Sequence, residues 1–226
     1  MNISPVNYNN IQNFKSSGEQ ESNGRYTKKQ RAVVAGMSAL GTAASCAILA
    51  KRAGYSLKPS KMFNLKNIKN SFLAKVKYHD EQVIPIGVGS ILGGLAGGYM
   101  IDKDPQARKE KRREALMQVG NVSIPILTVD FLSEKLGKYG KVAKTGGAVA
   151  GIFAGVYLAN VIMNRVNNFL FRHKENRDMK LTDFSAHVDD AVVAASYVSS
   201  SPIVNGIARV IPLALMIPGN EVGNKK

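Results

Sequence analysis

Residues 83–101, VIPIGVGSILGGLAGGYMI, contain no charged side chain and six glycines, and the cluster Asp102, Lys103, Asp104 ends the run abruptly. A helix of that length is about 28 Å long at ~1.5 Å per residue, close to the ~30 Å hydrocarbon core of a bilayer. The run therefore reads as a membrane-spanning helix. Gly89, Gly93 and Gly97 recur in GxxxG spacing, as do Gly94 and Gly98, leaving a face of nearly bare backbone against which a second helix can pack.

Three further apolar runs follow the same logic. Residues 32–50 are uncharged and flanked by Lys28, Lys29 and Arg31 before and Lys51 and Arg52 after. Ala35, Ala39, Ala43 and Ala47 fall four apart there and are expected to pack on the glycine face of 83–101. Residues 145–163 repeat the pattern with Gly147, Gly151 and Gly155. Residues 115–132 differ: Gln118, Asn121, Pro125 and Thr128 recur at three, four and three, one polar stripe on an otherwise Leu, Met, Val and Ile helix. Such a stripe is expected to avoid lipid and to face the bundle interior or a wet path. The fold class expected is all-α, a multi-pass helical membrane protein of four or five apolar segments with small-xxx-small packing faces.

The connectors carry the charge. Lys and Arg number 31 against 16 Asp and Glu in 226 residues, a net +15 that suits anionic lipid or nucleic acid. Residues 59–78 place Met62, Leu65, Ile68, Phe72 and Val76 at helical spacing, with Lys61, Lys66, Lys69, Lys75 and Lys77 among the polar positions. This predicts a basic amphipathic helix in the headgroup layer. After the glycine run, Asp104 and Pro105 signal a helix start. Arg108, Lys109, Lys111, Arg112 and Arg113 then form a second basic patch, expected to contact anionic lipid on the cytoplasmic side. Nucleic acid is an unfavoured partner, because these runs lack aromatic platforms and any recognisable module.

Residues 1–31 read as a disordered polar and basic tail, with no cleavable signal peptide expected, and 220–226 as a short second tail. The helical membrane domain occupies 32–219, with 203–219 a kinked or re-entrant segment interrupted by Arg209, Pro212 and Pro218. In a bacterium the expected location is the inner membrane.

The single cysteine, Cys46, excludes an intramolecular disulfide framework. There is no Walker loop, HExxH or GxSxG, and Gly87 and Gly89 lack the rest of a dinucleotide fingerprint. Asp183, His187 and Asp190 make the one cluster with chemistry in it, a pH-sensitive or ion-holding face on a helix starting at Thr182. The plainer reading is an exposed helix start pairing with Lys174 or Arg177. No catalytic residues, metal or cofactor are expected. The role expected is structural or interaction-based through close helix packing, with lipid, other membrane helices or a second copy as partners. The alternatives are a pore-forming or permeation protein exported into a target membrane, and a soluble helical binder of anionic lipid surface or nucleic acid.

Overall fold

The computed structural model describes residues 26–54, 80–172, 176–187, 191 and 211–226. Among them the fold is entirely helical, with no strand. Four long helices, α1 (Lys28–Arg52), α2 (Asp80–Ile101), α3 (Pro105–Gly137) and α4 (Lys141–Phe171), are each long and apolar enough to cross a bilayer. A 3-10 turn (Leu181–His187) and two short helices, α5 (Ile211–Ala214) and α6 (Met216–Asn224), complete the described chain.

α1, α3 and α4 overrun their apolar runs, and at the starts of α1 and α3 the flanking sequence supplies side-chain caps. Thr27 begins α1 with a capping box, its hydroxyl accepting from the Gln30 amide while the Gln30 side chain accepts from the Thr27 amide. Asp104 accepts from the amides of Gln106 and Ala107, and Pro105 follows where no amide is needed, so α3 starts well before its apolar part. At the far end α3 stops at Gly137, and Gly140, at φ 113°, makes the tight return into α4. The ordered chain also reaches further at both termini than expected. Tyr26 to Arg31 are anchored rather than part of a tail, and residues 220–224 are helical in α6, not a tail. The amphipathic stretch 59–78, with Lys61, Lys66, Lys69, Lys75 and Lys77, lies outside the described residues, as do 1–25 and 203–210.

Two antiparallel pairs form the frame. In the first, Gly89 of α2 meets Gly41 and Ser45 of α1, Gly93 meets Met37 and Ser38, and Gly97 meets Val34 and Met37. The α1 face in this contact is thus Val34, Met37, Ser38, Gly41 and Ser45. The alanine row expected there is not the contact row: Ala35 and Ala43 are exposed, and Ala39 and Ala47 only half-buried. On α1 the contact row is offset from the alanines, stepping by three or four from Val34 through Met37 or Ser38 to Gly41 and Ser45. In the second pair, Gly147 lies on Leu132, Gly151 on Thr128 and Val129, and Gly155 on Pro125 and Thr128. A Cβ at Gly151 would stand 2.6 Å from the Val129 Cα, closer than any side chain tolerates.

The second glycine row of α2 takes α6. Gly94 faces Gly219, and Gly98 faces Gly223, so α6 runs parallel to the last half of α2. The C-terminal segment becomes helical because Gly219 and Gly223 let it seat directly on that row. A core of Val83, Ile86, Ile91, Val122, Ile126, Ile211, Leu215 and Val222 joins α2, α3, α5 and α6. Asn167 of α4 donates to the Arg113 carbonyl of α3, and Lys111 reaches the Lys225 carbonyl. The start of α3, the end of α4 and the end of α6 therefore lie at the same end of the bundle.

Replacing Gly93 or Gly151 with Leu is expected to lower the thermal midpoint in detergent by about 2–10 °C, the range for overpacking a tight contact in a chain of this size. Gly36, where an added side chain meets nothing within 4 Å, is the control, and Gly36→Leu should leave the midpoint unchanged.

Candidate functional site

The outside of the bundle is apolar and its inside is partly polar. Leu40, Ile48, Leu92, Leu127, Phe153 and Tyr157 are 56–64 % exposed, whereas Gln118, Asn121, Asn167, Asp183 and His187 are buried. The buried polar groups concentrate near the end of the bundle where α1 and α3 begin and α2, α4 and α6 finish.

Arg177, in the stretch that follows α4, is the hub. Its backbone is clamped by Asn164, which accepts from the Arg177 amide at 2.8 Å and donates to the Arg177 carbonyl at 3.0 Å; Asn160 donates to the same carbonyl. Its guanidinium makes a two-pronged contact with Asp183, Nη1 to Oδ2 at 2.8 Å and Nη2 to Oδ1 at 2.6 Å, and Nε donates to Glu114 Oε1 at 2.9 Å. Glu221 of α6 stands 3.9 Å away. Gln118 donates to both Glu114 and Glu221, and Lys225 approaches Glu114 at 3.4 Å. One planar cation therefore ties α3, α4, the 3-10 turn and α6 together. Burial works against its charge, but the hydrogen bonds with Asp183 and the fields of Glu114, Asp183 and Glu221 outweigh it and hold the guanidinium firmly protonated.

The polar stripe of α3 faces inward along its whole length. Asn121 Nδ2 donates to the Asp183 carbonyl at 3.1 Å. Thr128 Oγ1 lies 2.8 Å from the Gly151 carbonyl of α4. Pro125 has no amide hydrogen, so the Asn121 carbonyl four residues earlier loses its helical donor. His187 Nε2 stands 2.8 Å from that oxygen. A carbonyl only accepts, so the ring presents Nε2–H, and the 3-10 turn supplies the donor that proline removed.

This placement changes the reading of the acidic and histidine cluster. Asp183 and His187 are 2 % exposed rather than on a solvated helix start, and they serve different partners, Arg177 and the Asn121 carbonyl. These two anchors, together with the Phe184 ring 5.4 Å from Phe153, hold the 3-10 turn against the bundle. Asp190 lies outside the described residues, and among the described residues no group of His, Cys, Asp and Glu is arranged to hold a metal.

A second cluster forms around Lys111, where Tyr26, Asp102 and Lys225 meet. Tyr26 donates to Asp102 at 2.5 Å, and Lys111 donates to the Tyr26 oxygen at 2.6 Å and to the Lys225 carbonyl. Lys226 stands over the Tyr26 ring at 4.7 Å. Burial, together with the neighbouring Asp102, pushes the Tyr26 phenol well above its ordinary value. Burial alone would raise the Asp102 carboxyl, but hydrogen bonds from Tyr26 and the Asp104 amide, with the Lys111 ammonium, hold it below the usual carboxylate range. Lys111 is thus not a lipid contact: it is fully buried because Tyr26, Asp102 and the C-terminus converge on it. Arg108 caps the carbonyls of Tyr99 and Asp102, and Arg113 pairs with Glu110 at 2.6 Å. Lys109 is half-buried and Arg112 exposed.

Sequence reading did not single out Arg177, Glu114, Glu221 or Tyr26 as a unit. The available signal was the isolated acid at each edge of an apolar stretch, Glu114 before Ala115 and Glu221 after Gly219, each needing a cation from elsewhere. No protein-family model matches this chain, and neither does any curated protein or solved structure.

Arg177→Met should cost about 3–5 kcal/mol of stability, since it strands Asp183 and Glu114 without their cation. His187→Leu should cost about 1–3 kcal/mol by orphaning the Asn121 carbonyl. In a Pro125→Ala background that second loss should shrink, because the alanine amide restores the donor. Denaturation of the four variants checks both.

Proposed function

We propose that this chain is a small multi-pass integral membrane protein whose role is structural or interaction-based, carried by close helix packing and without a reaction of its own. The observation that supports it most is the inverted surface: four helices of spanning length with large apolar side chains outward and Gln118, Asn121, Asn167 and Asp183 inward. In water that outer surface would be costly, while in lipid it is the ordinary solvent-facing side. The polar stripe supports a packing role over a permeation path, because Gln118, Asn121 and Thr128 engage neighbouring segments. Such contacts are worth about 1 kcal/mol each in a bilayer.

The orientation proposed places Tyr26, the Asp102–Asp104 turn, Arg172 and Lys225 on the cytoplasmic side, where the basic residues of α3 gather. The partners proposed are anionic lipid and other membrane helices, including a second copy.

Fractionation tests the reading. The full chain should stay in the membrane pellet through an alkaline carbonate wash and leave it only with detergent. Recovery in the supernatant without detergent would overturn it.

A further inference from the structure

A 320 Å³ cavity opens at the basic end of the bundle, between the first turns of α3, the last turns of α4, the 176–180 stretch and the C-terminus. Glu110, Arg113, Asn167, Asp178, Lys180 and Lys225 supply most of its polar lining, and Met117 lies deepest along α3. Two of these residues are buried and incompletely bonded. Arg113 is 8 % exposed and Asn167 2 %. Arg113 Nε, a donor, and Asn167 Oδ1, an acceptor, have no hydrogen-bond partner among the described residues. The rest of each side chain is held: Arg113 Nη1 donates to Glu110, and Asn167 Nδ2 donates to the Arg113 carbonyl. Lys180, which also lines the cavity, is exposed, and its backbone is held by Asp183, the amide by the carboxylate and the carbonyl by the Asp183 amide. Two side chains that line the pocket are thus held in place, each keeping one unsatisfied buried polar atom beside it.

Its depth identifies the environment. The lining runs from Glu110 to Met117 on α3, and the apolar run begins at Ala115, so the cavity straddles the boundary where a headgroup would lie. Within one turn of Asn167, α4 exposes Phe169 and Leu170, apolar side chains beside which acyl chains can run. The lining is also chemically mixed. Arg113, Lys180 and Lys225 offer charged donors suited to phosphate oxygens, Lys225 while also reaching Glu114 at 3.4 Å, whereas Glu110, Glu114 and Asp178 offer carboxylate acceptors suited to hydroxyl groups.

We propose that this cavity binds the headgroup of an anionic phospholipid whose phosphodiester carries hydroxyl groups, as phosphatidylglycerol does. The proposal rests on the reading that the helices lie in a bilayer. The shared chemistry, a phosphate among Arg113, Lys180 and Lys225, could also be met by free phosphate, so the test separates the two sources.

The full-length protein in a neutral detergent is titrated with phosphatidylglycerol, with phosphatidylcholine of the same chain length, and with inorganic phosphate, following the thermal midpoint. Phosphatidylglycerol is expected to raise the midpoint saturably, and the other two to leave it unchanged. Arg113→Gln and Lys180→Gln should each weaken the apparent affinity, Arg113→Gln by about tenfold. Lys180 is exposed, so Lys180→Gln keeps the test readable if Arg113→Gln fails to fold. Equal stabilisation by phosphatidylcholine, or an unchanged titration in Lys180→Gln, overturns the site. A full shift with inorganic phosphate alone overturns the lipid assignment. Solubility of the chain without detergent would instead sink the bilayer reading, and the phosphate arm of the titration would still report on the cavity.

Discussion

The approach of bare backbone along α2 is the contact on which the rest of the structure depends. One glycine row, Gly89, Gly93 and Gly97, receives α1 antiparallel, and the other, Gly94 and Gly98, receives α6 parallel. In a lipid environment apolar side chains gain little by leaving one oily neighbour for another, so helices are held by close van der Waals contact and hydrogen bonds. A side chain on either row would push a partner away, and the C-terminal helix would lose its seat. Its loss would in turn remove Glu221 and the Lys225 carbonyl from the polar clusters.

Those clusters do a different job. Small-residue contacts bring helices close but discriminate poorly between registers, because one glycine step resembles the next. Arg177 removes that ambiguity by meeting Glu114, Asp183 and Asn164 at once, from three separate parts of the chain. Breaking such a buried arrangement is costly even where forming it gains little. The Pro125 and His187 pair has the same character: proline frees a carbonyl that only a donor at one position can satisfy, which fixes the 3-10 turn against α3. Packing thus sets how closely the helices approach, and the ionic and amide contacts set where they stop.

The legible part of this design was local. The four apolar runs and the Asp104–Pro105 start follow from residues adjacent in sequence, and the helices sit where those signals place them. The row Gly147, Gly151 and Gly155 meets α3 because its own spacing defines its face. The row Ala35, Ala39, Ala43 and Ala47 did not predict its contact, since α1 carries small residues on more than one face and spacing alone does not say which of them a distant helix will cover. The Arg177–Asp183 pair was within reach of local reading, but the role of Arg177 as a hub was hidden because Glu114 lies 63 positions back along the chain. Lys111 looked like one more surface cation because the tyrosine that buries it is 85 positions away. Periodicity reports which face of a helix is small or polar, but not which distant group will be delivered to it.

The lone thiol offers the most direct measurement. Cys46 lies in the apolar part of α1, partly buried beside the core shared by α2, α3, α5 and α6. In intact membranes a charged maleimide should leave it unlabelled until detergent and denaturant are added. Rapid labelling of the native protein in its membrane would mean that α1 is bathed in water, and would contradict a bundle held together within lipid.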